Sequence, residues 1–114
     1  MVLVDLTAAT ICFLGQCYPI LYGTSTPVGH FEMQVRQVIS PGYGGEVLQF
    51  YEDDTTVLAI HRLWTQNADQ HRERRLRSKT TKDNMITNGC INVTPEVYEK
   101  LKDCCSNDEL VIKK

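Results

Sequence analysis

The sequence predicts a mainly β protein with one or two short helices. Short runs rich in β-branched, aromatic or alternating apolar residues fill the first half of the chain. Gly and Pro punctuate them closely, and only the segment after Thr94 carries a full set of helix-start signals. A length of 114 residues suits one compact domain spanning 1–114.

Strands are predicted over residues 1–6, 10–14, 16–22, 29–38, 47–51 and 56–63. Turn-forming stretches separate them: Gly23-Thr24-Ser25-Thr26-Pro27, Ser40-Pro41-Gly42-Tyr43-Gly44-Gly45 and Glu52-Asp53-Asp54. Residues 64–84 are polar and charged with no apolar period, which predicts a long excursion holding one helical turn around 70–77. A loop of that length is uncommon unless it is functional. Thr94 then reads as an N-cap, with Pro95 at the first helical position, Glu96 in the first turn, and Val97, Tyr98 and Leu101 as the apolar face. Residues 109–112 are expected to form a closing strand.

A hydrophobic fraction of 42% and a charged fraction of 23% are ordinary for a globular chain and argue against disorder. No apolar stretch is long enough for a membrane span. A formal charge of −2 offers no general reason to bind nucleic acid, although Arg72-Glu73-Arg74-Arg75-Leu76-Arg77 is locally basic. Met1-Val2-Leu3-Val4-Asp5-Leu6 alternates like a strand and does not read as a signal peptide.

The five cysteines are an odd number, so at least one thiol stays free if the others pair. Cys12 and Cys17 flank a stretch suited to a hairpin loop, which fits a cross-hairpin disulfide in an oxidising compartment and equally fits two buried thiols. Cys104 and Cys105 are adjacent, and a bond between neighbours is strained, so packing or pairing elsewhere is expected for them. Cys90 is the odd one out. It follows Gly89 in the polar turn Thr87-Asn88-Gly89-Cys90-Ile91-Asn92, just upstream of the predicted helix. A thiol attacks as thiolate, so it needs a positive or basic neighbour and backbone N–H groups for the oxyanion. Taken alone, a Gly-Cys dipeptide equally suits a small buried hydrophobe.

The segment Asn84-Met85-Ile86-Thr87-Asn88-Gly89-Cys90-Ile91-Asn92-Val93 resembles the nucleophile motif of the L,D-transpeptidases. That motif reads Ser or Thr, usually His, then Gly-Cys, an apolar residue, and Asn or Arg. Five of the six positions agree, and Asn88 departs from the usual His. Thr26-Pro27-Val28-Gly29-His30-Phe31 is similar to the family's Thr-Pro-x-Gly-x-Phe, and Ala59-Ile60-His61 resembles the strand that ends in its catalytic histidine. The resemblance runs from Val2 to Leu101 and implies the family's β-sandwich or barrel-like catalytic fold.

It also implies roles. Cys90 is the nucleophile and a histidine its base. The family's usual interval from histidine to Ser/Thr fits His71 better, whereas the apolar run Val57-Leu58-Ala59-Ile60 would hold His61 rigidly; His61 is preferred because a base requires fixed placement. His30 is expected to be structural or at the cleft edge. Backbone N–H groups of Gly89 and Cys90 would hold the oxyanion. Arg62 would orient His61 through its main-chain carbonyl, leaving its side chain free to hold a donor carboxylate. Thr87, Asn88, Asn92, Tyr43, Trp64 and Arg75 are the substrate-side candidates, with Asn92 bracing the turn through its amide.

The implied substrate is the peptidoglycan tetrapeptide stem. The thiolate would attack the carbonyl of the third residue, expel terminal D-alanine and pass the resulting thioester acyl group to an amine of another stem or to a free D-amino acid. Water as acceptor gives the alternative, an L,D-carboxypeptidase. No cofactor or metal is needed for thiolate attack. A periplasmic or cell-wall-side location and a monomer are expected, with the chain either a trimmed domain or a wall-targeting effector or phage product. The rivals are a non-catalytic wall-binding or inhibitory protein and a metal module built from His61, His71, Cys90 and Cys104 or Cys105; the spacing of the latter set matches no compact zinc pattern.

Overall fold

A computed structural model describes residues 1–114 as two β-sheets and two α-helices. The strands are β1 (Val2–Asp5), β2 (Thr10–Phe13), β3 (Gln16–Pro19), β4 (Gly29–Glu32), β5 (Gln34–Gln37), β6 (Glu46–Glu52), β7 (Val57–Arg62), β8 (Ile91–Val93) and β9 (Glu109–Lys113). The helices are α1 (Arg72–Arg77) and α2 (Pro95–Cys105), and short 3-10 turns cover Ala68–Gln70 and Thr81–Asn84. No helix is long and apolar enough to cross a membrane.

One sheet has the order β3-β2-β1-β9-β4 and the other β5-β6-β7-β8. Pairing is antiparallel except for β1 with β9 and β7 with β8. Alternation puts Val2 and Val4, Ile11 and Phe13, and Leu110 and Ile112 inward from the first sheet. Leu48, Phe50, Leu58, Ile60, Ile91 and Val93 meet them from the second, and Val97, Tyr98, Leu101 and Cys105 of α2 complete the same core. Each such side chain contributes on the order of 2 kcal/mol on burial.

Helix α2 starts where its signals place it: Thr94 Oγ1 accepts the Val97 N–H at 3.2 Å, and Pro95 occupies the first turn. Its buried face is anchored to β6 by Glu46, which accepts from Tyr98 Oη and Lys102 Nζ, each at 3.1 Å.

Four details differ from expectation. Residues 29–38 form two strands in different sheets, because buried Met33 anchors the crossing between them. The ladder of β3 stops at Pro19, which has no N–H to donate; beyond it Leu21 and Tyr22 bridge to Asn92 and Met85 instead. Ile91 and Asn92, read as the end of the turn, belong with Val93 to the buried strand β8, too short to show a period. Cys104 and Cys105 are bonded to each other. Cys12 and Cys17 pair across the β2–β3 hairpin and Cys90 stays free in the second sheet, so the neighbours at the end of α2 have only each other.

Gly23 is where the chain leaving β3 comes closest to the Cys90 turn. A Cβ there would stand 2.0 Å from Thr87 O and 3.0 Å from Gly89 N, both backbone atoms. Gly23→Ala is therefore expected to cost about 3 kcal/mol of stability, the upper range for forcing extra atoms into a packed site, read as a lower urea midpoint with an unchanged slope.

Candidate active site

The site is assembled on β7, β8 and the two loops that cover them. Parallel pairing sets Ile60 opposite Ile91 and His61 opposite Asn92. Cys90 is the residue just before β8, and its sulfur lies 4.0 Å from the Val57 carbonyl, to which the thiol points. The loop after β5 closes the other side. His61, Cys90, Ala59, Val57, Tyr43 and Ile39 line a common cavity of about 370 Å³.

The Cys90 turn is held by hydroxyls. Thr87 Oγ1 accepts the Gly89 N–H at 3.1 Å and donates to Cys90 O at 2.6 Å. Buried Thr26 accepts the Gly23 N–H at 2.9 Å and donates to Gly89 O at 3.0 Å. Gly89 has φ +126°, and a Cβ there would meet Leu58 Cδ2 at 2.8 Å, so glycine alone fits. Its N–H is engaged by Thr87, which leaves the Cys90 N–H as the open donor of the turn, in place of the expected Gly89–Cys90 pair.

His61 is buried, and Nδ1 lies 2.7 Å from Arg62 O. A carbonyl only accepts, so Nδ1 carries the proton and Nε2 presents a lone pair. Asn92, fully buried, faces it: its Oδ1 accepts from Trp64 N at 3.1 Å and Arg72 Nη1 at 3.0 Å, which orients Nδ2 toward His61 Nε2 at 3.5 Å. Tyr43 packs edge-on against the imidazole, with centroids 4.7 Å apart. No hydrogen bond joins the Cys90 thiol to the ring.

Burial drives the electrostatics. It pushes His61 down to about 4, with Arg72 adding to the effect and the Arg62 carbonyl opposing it. It also raises the Cys90 thiol, against the pull of the Ala59 amide and Arg72. Tyr43 is raised by burial and by the neighbouring Cys90. The resting pair is a neutral imidazole and a neutral thiol.

The other sequence candidates divide. His71 is exposed on a separate concavity beside α1, and His30 pairs with Glu109 at 3.0 Å on β4 and β9. Arg62 has its carbonyl on His61, but its guanidinium is committed: it stacks 4.2 Å from the Tyr98 centroid, pairs with Glu99 and donates to Tyr43 O at 3.2 Å. The side chain expected to be free for a donor carboxylate is thus bound to α2 and the cleft loop. Trp64 sits beneath Arg72 outside the cavity lining. Arg75 ties the excursion to itself through Gln70 O at 2.9 Å and Asp83 O at 3.2 Å. Asn88 is exposed on the rim of the turn.

Arg72 and Thr26 escaped the sequence reading as site residues. The signal for Arg72 was present: Leu76 is the one apolar residue of α1, so it turns inward and carries position i−4 with it.

The arrangement is an L,D-transpeptidase-like fold with a thiol and an imidazole in one cleft. A solved L,D-transpeptidase from Xylanimonas cellulosilytica is similar over 98% of this chain and 59% of its own, with 14% identity and a TM-score of 0.61. An L,D-transpeptidase from Mycobacterium smegmatis is similar over 99% and 58%, at 17% identity and a TM-score of 0.59. The helical cell shape determining protein Pgp2 from Campylobacter jejuni is similar over 99% and 46%, at 16% identity and a TM-score of 0.59. This chain therefore spans about half the length of the structures it matches. No family model matches the sequence, and no curated protein does.

The His61 environment makes stability depend on pH. Its folded value of about 4 lies below the ordinary 6.5, so between those values the unfolded chain binds the extra proton and the folded chain does not. The contribution is present in full above pH 6.5 and is lost as pH falls toward 4, a difference of about 3 kcal/mol at about 1.4 kcal/mol per unit. Urea unfolding at the two ends of this window should show that loss, and His61→Gln should flatten it.

Proposed function

We propose that this chain is a cysteine acyl-transferase acting on peptidoglycan tetrapeptide stems, with residues 1–114 as its catalytic domain. The observation that carries the reading is the placement of one free thiol and one oriented, neutral imidazole on the same cavity of an L,D-transpeptidase-like fold. Cys90 Sγ turns from Val57 O toward His61 when substrate enters, Nε2 takes the proton, and the sulfur attacks the carbonyl of the third stem residue. The Cys90 N–H donates to the oxyanion. Terminal D-alanine leaves with the proton from His61, and a thioester remains on Cys90. An amine acceptor then takes the acyl group; water in its place makes the protein an L,D-carboxypeptidase.

The pair starts neutral, so proton transfer accompanies attack and no resting thiolate–imidazolium pair is required. The two disulfides fit an oxidising location on the periplasmic or wall side, and the protein acts as a monomer. A second reading, a non-catalytic wall-binding protein, draws on the absence of a Cys90–His61 hydrogen bond and the raised thiol.

Purified muropeptides followed by mass spectrometry decide between them. The wild type and His71→Ala should convert tetrapeptide stems, whereas Cys90→Ala should be inactive and His61→Ala slowed at least about 100-fold. An intact stem with wild-type protein removes the enzyme reading. Loss of activity in His71→Ala alone moves the base.

A further inference from the structure

Of the four arginines on α1, one bonds the buried Asn92 amide that faces His61, from outside the cavity lining. Arg72 Nε donates to Gln70 Oε1 at 2.7 Å, Nη1 donates to Asn92 Oδ1 at 3.0 Å, and the guanidinium stands 5.0 Å from the Trp64 centroid. These partners are neutral, so the hydrogen bonds fix the group without cancelling its charge. Half-burial among Trp64, Gln70 and Asn92 keeps water from screening it fully.

We propose that Arg72 is a positioning residue of this site, holding the Asn92 amide against His61 Nε2 and standing as the fixed cation for the thiolate that forms at Cys90. The inference rests on the acyl-transfer reading above and deepens it. When Cys90 ionises, the S–H bond breaks, its electron pair stays on sulfur, and the proton forms a bond to His61 Nε2 as the long Asn92 contact gives way. A thiolate is stabilised by positive neighbours: His61 becomes one only as it takes the proton, whereas Arg72 is charged before and throughout the transfer. Arg72 is the side chain that pulls the thiol down against burial, and Cys90 and Tyr43 in turn support its charge. The charged and titratable groups around Cys90 are His61 from β7, Tyr43 from the cleft loop, Arg72 from α1 and Arg36 from β5; Arg36 is engaged by Gln49 and Glu52 at the far rim.

Two titrations on wild type, Arg72→Gln and Arg72→Lys test this: the pH dependence of Cys90 alkylation by iodoacetamide, and the His61 ring signals by NMR. Losing the cation raises both midpoints, with Cys90 moving up by about 0.5–1 unit in Arg72→Gln and His61 rising from its depressed value. Arg72→Lys keeps the charge and stays within about 0.3 unit of wild type at Cys90. A purely structural role makes the opposite prediction for sulfur: a loosened, wetter cleft lowers the Cys90 midpoint toward an ordinary thiol while His61 rises. A folded Arg72→Gln protein with an unchanged or lowered Cys90 midpoint overturns the proposal. Should Arg72→Gln not fold, an Arg72→Lys protein with a lowered Cys90 midpoint overturns it equally, and one that keeps the wild-type midpoint supports it. Neither readout uses peptidoglycan, so failure here is distinct from failure on muropeptides.

Discussion

The parallel pairing of β7 with β8 is the constraint on which the site depends. Three residues, Ile91–Val93, are gripped on one edge by β7 and on the other by Leu21, whose N–H and C=O both bond to Asn92 at 3.0 Å. That register fixes Asn92 opposite His61 and leaves Cys90 just beyond the end of the ladder. A slip of one residue would turn Asn92 out of the cleft. Thr26 and Gly23 guard against it, since they bring the segment after β3 into backbone contact with the Cys90 turn.

Burial then sets the chemistry. Burial favours the uncharged form of both partners, holding His61 well below the ordinary imidazole range and raising the Cys90 thiol. At Cys90 the Ala59 amide and Arg72 work against burial, and Arg72 is delivered by the excursion after β7, bonded to Asn92. That excursion is pinned by Arg75 and by buried Asn84, whose Nδ2 donates to Ile20 O at 3.0 Å, so the guanidinium arrives on a braced segment.

What the sequence shows of this depends on how local the cause is. Helix α2 is legible because cap, proline and apolar face lie within one turn of each other. The strands that alternate over four residues or more are legible for the same reason, and β8 is not, being continuously buried and three residues long. Cys90, His61 and the Arg62 carbonyl lie close together along β7 and β8, and the motif resemblance names them. The fates of long side chains are decided by distant partners: Arg62 is captured by Tyr98 and Glu99 of α2, and Arg72, not Arg75, turns inward because of Leu76. Local strain predicted separate fates for Cys104 and Cys105, whereas the tertiary placement of the other three cysteines leaves them paired.

Cys90 is proposed above as an acylatable nucleophile served by His61. Intact-protein mass spectrometry after incubation with a carbapenem, whose strained lactam is itself an acyl donor, tests it without any peptide substrate. A single adduct mapped to Cys90 is expected, absent from Cys90→Ala and slower to form in His61→Ala. An unmodified wild-type protein, or an adduct on another residue, would contradict it.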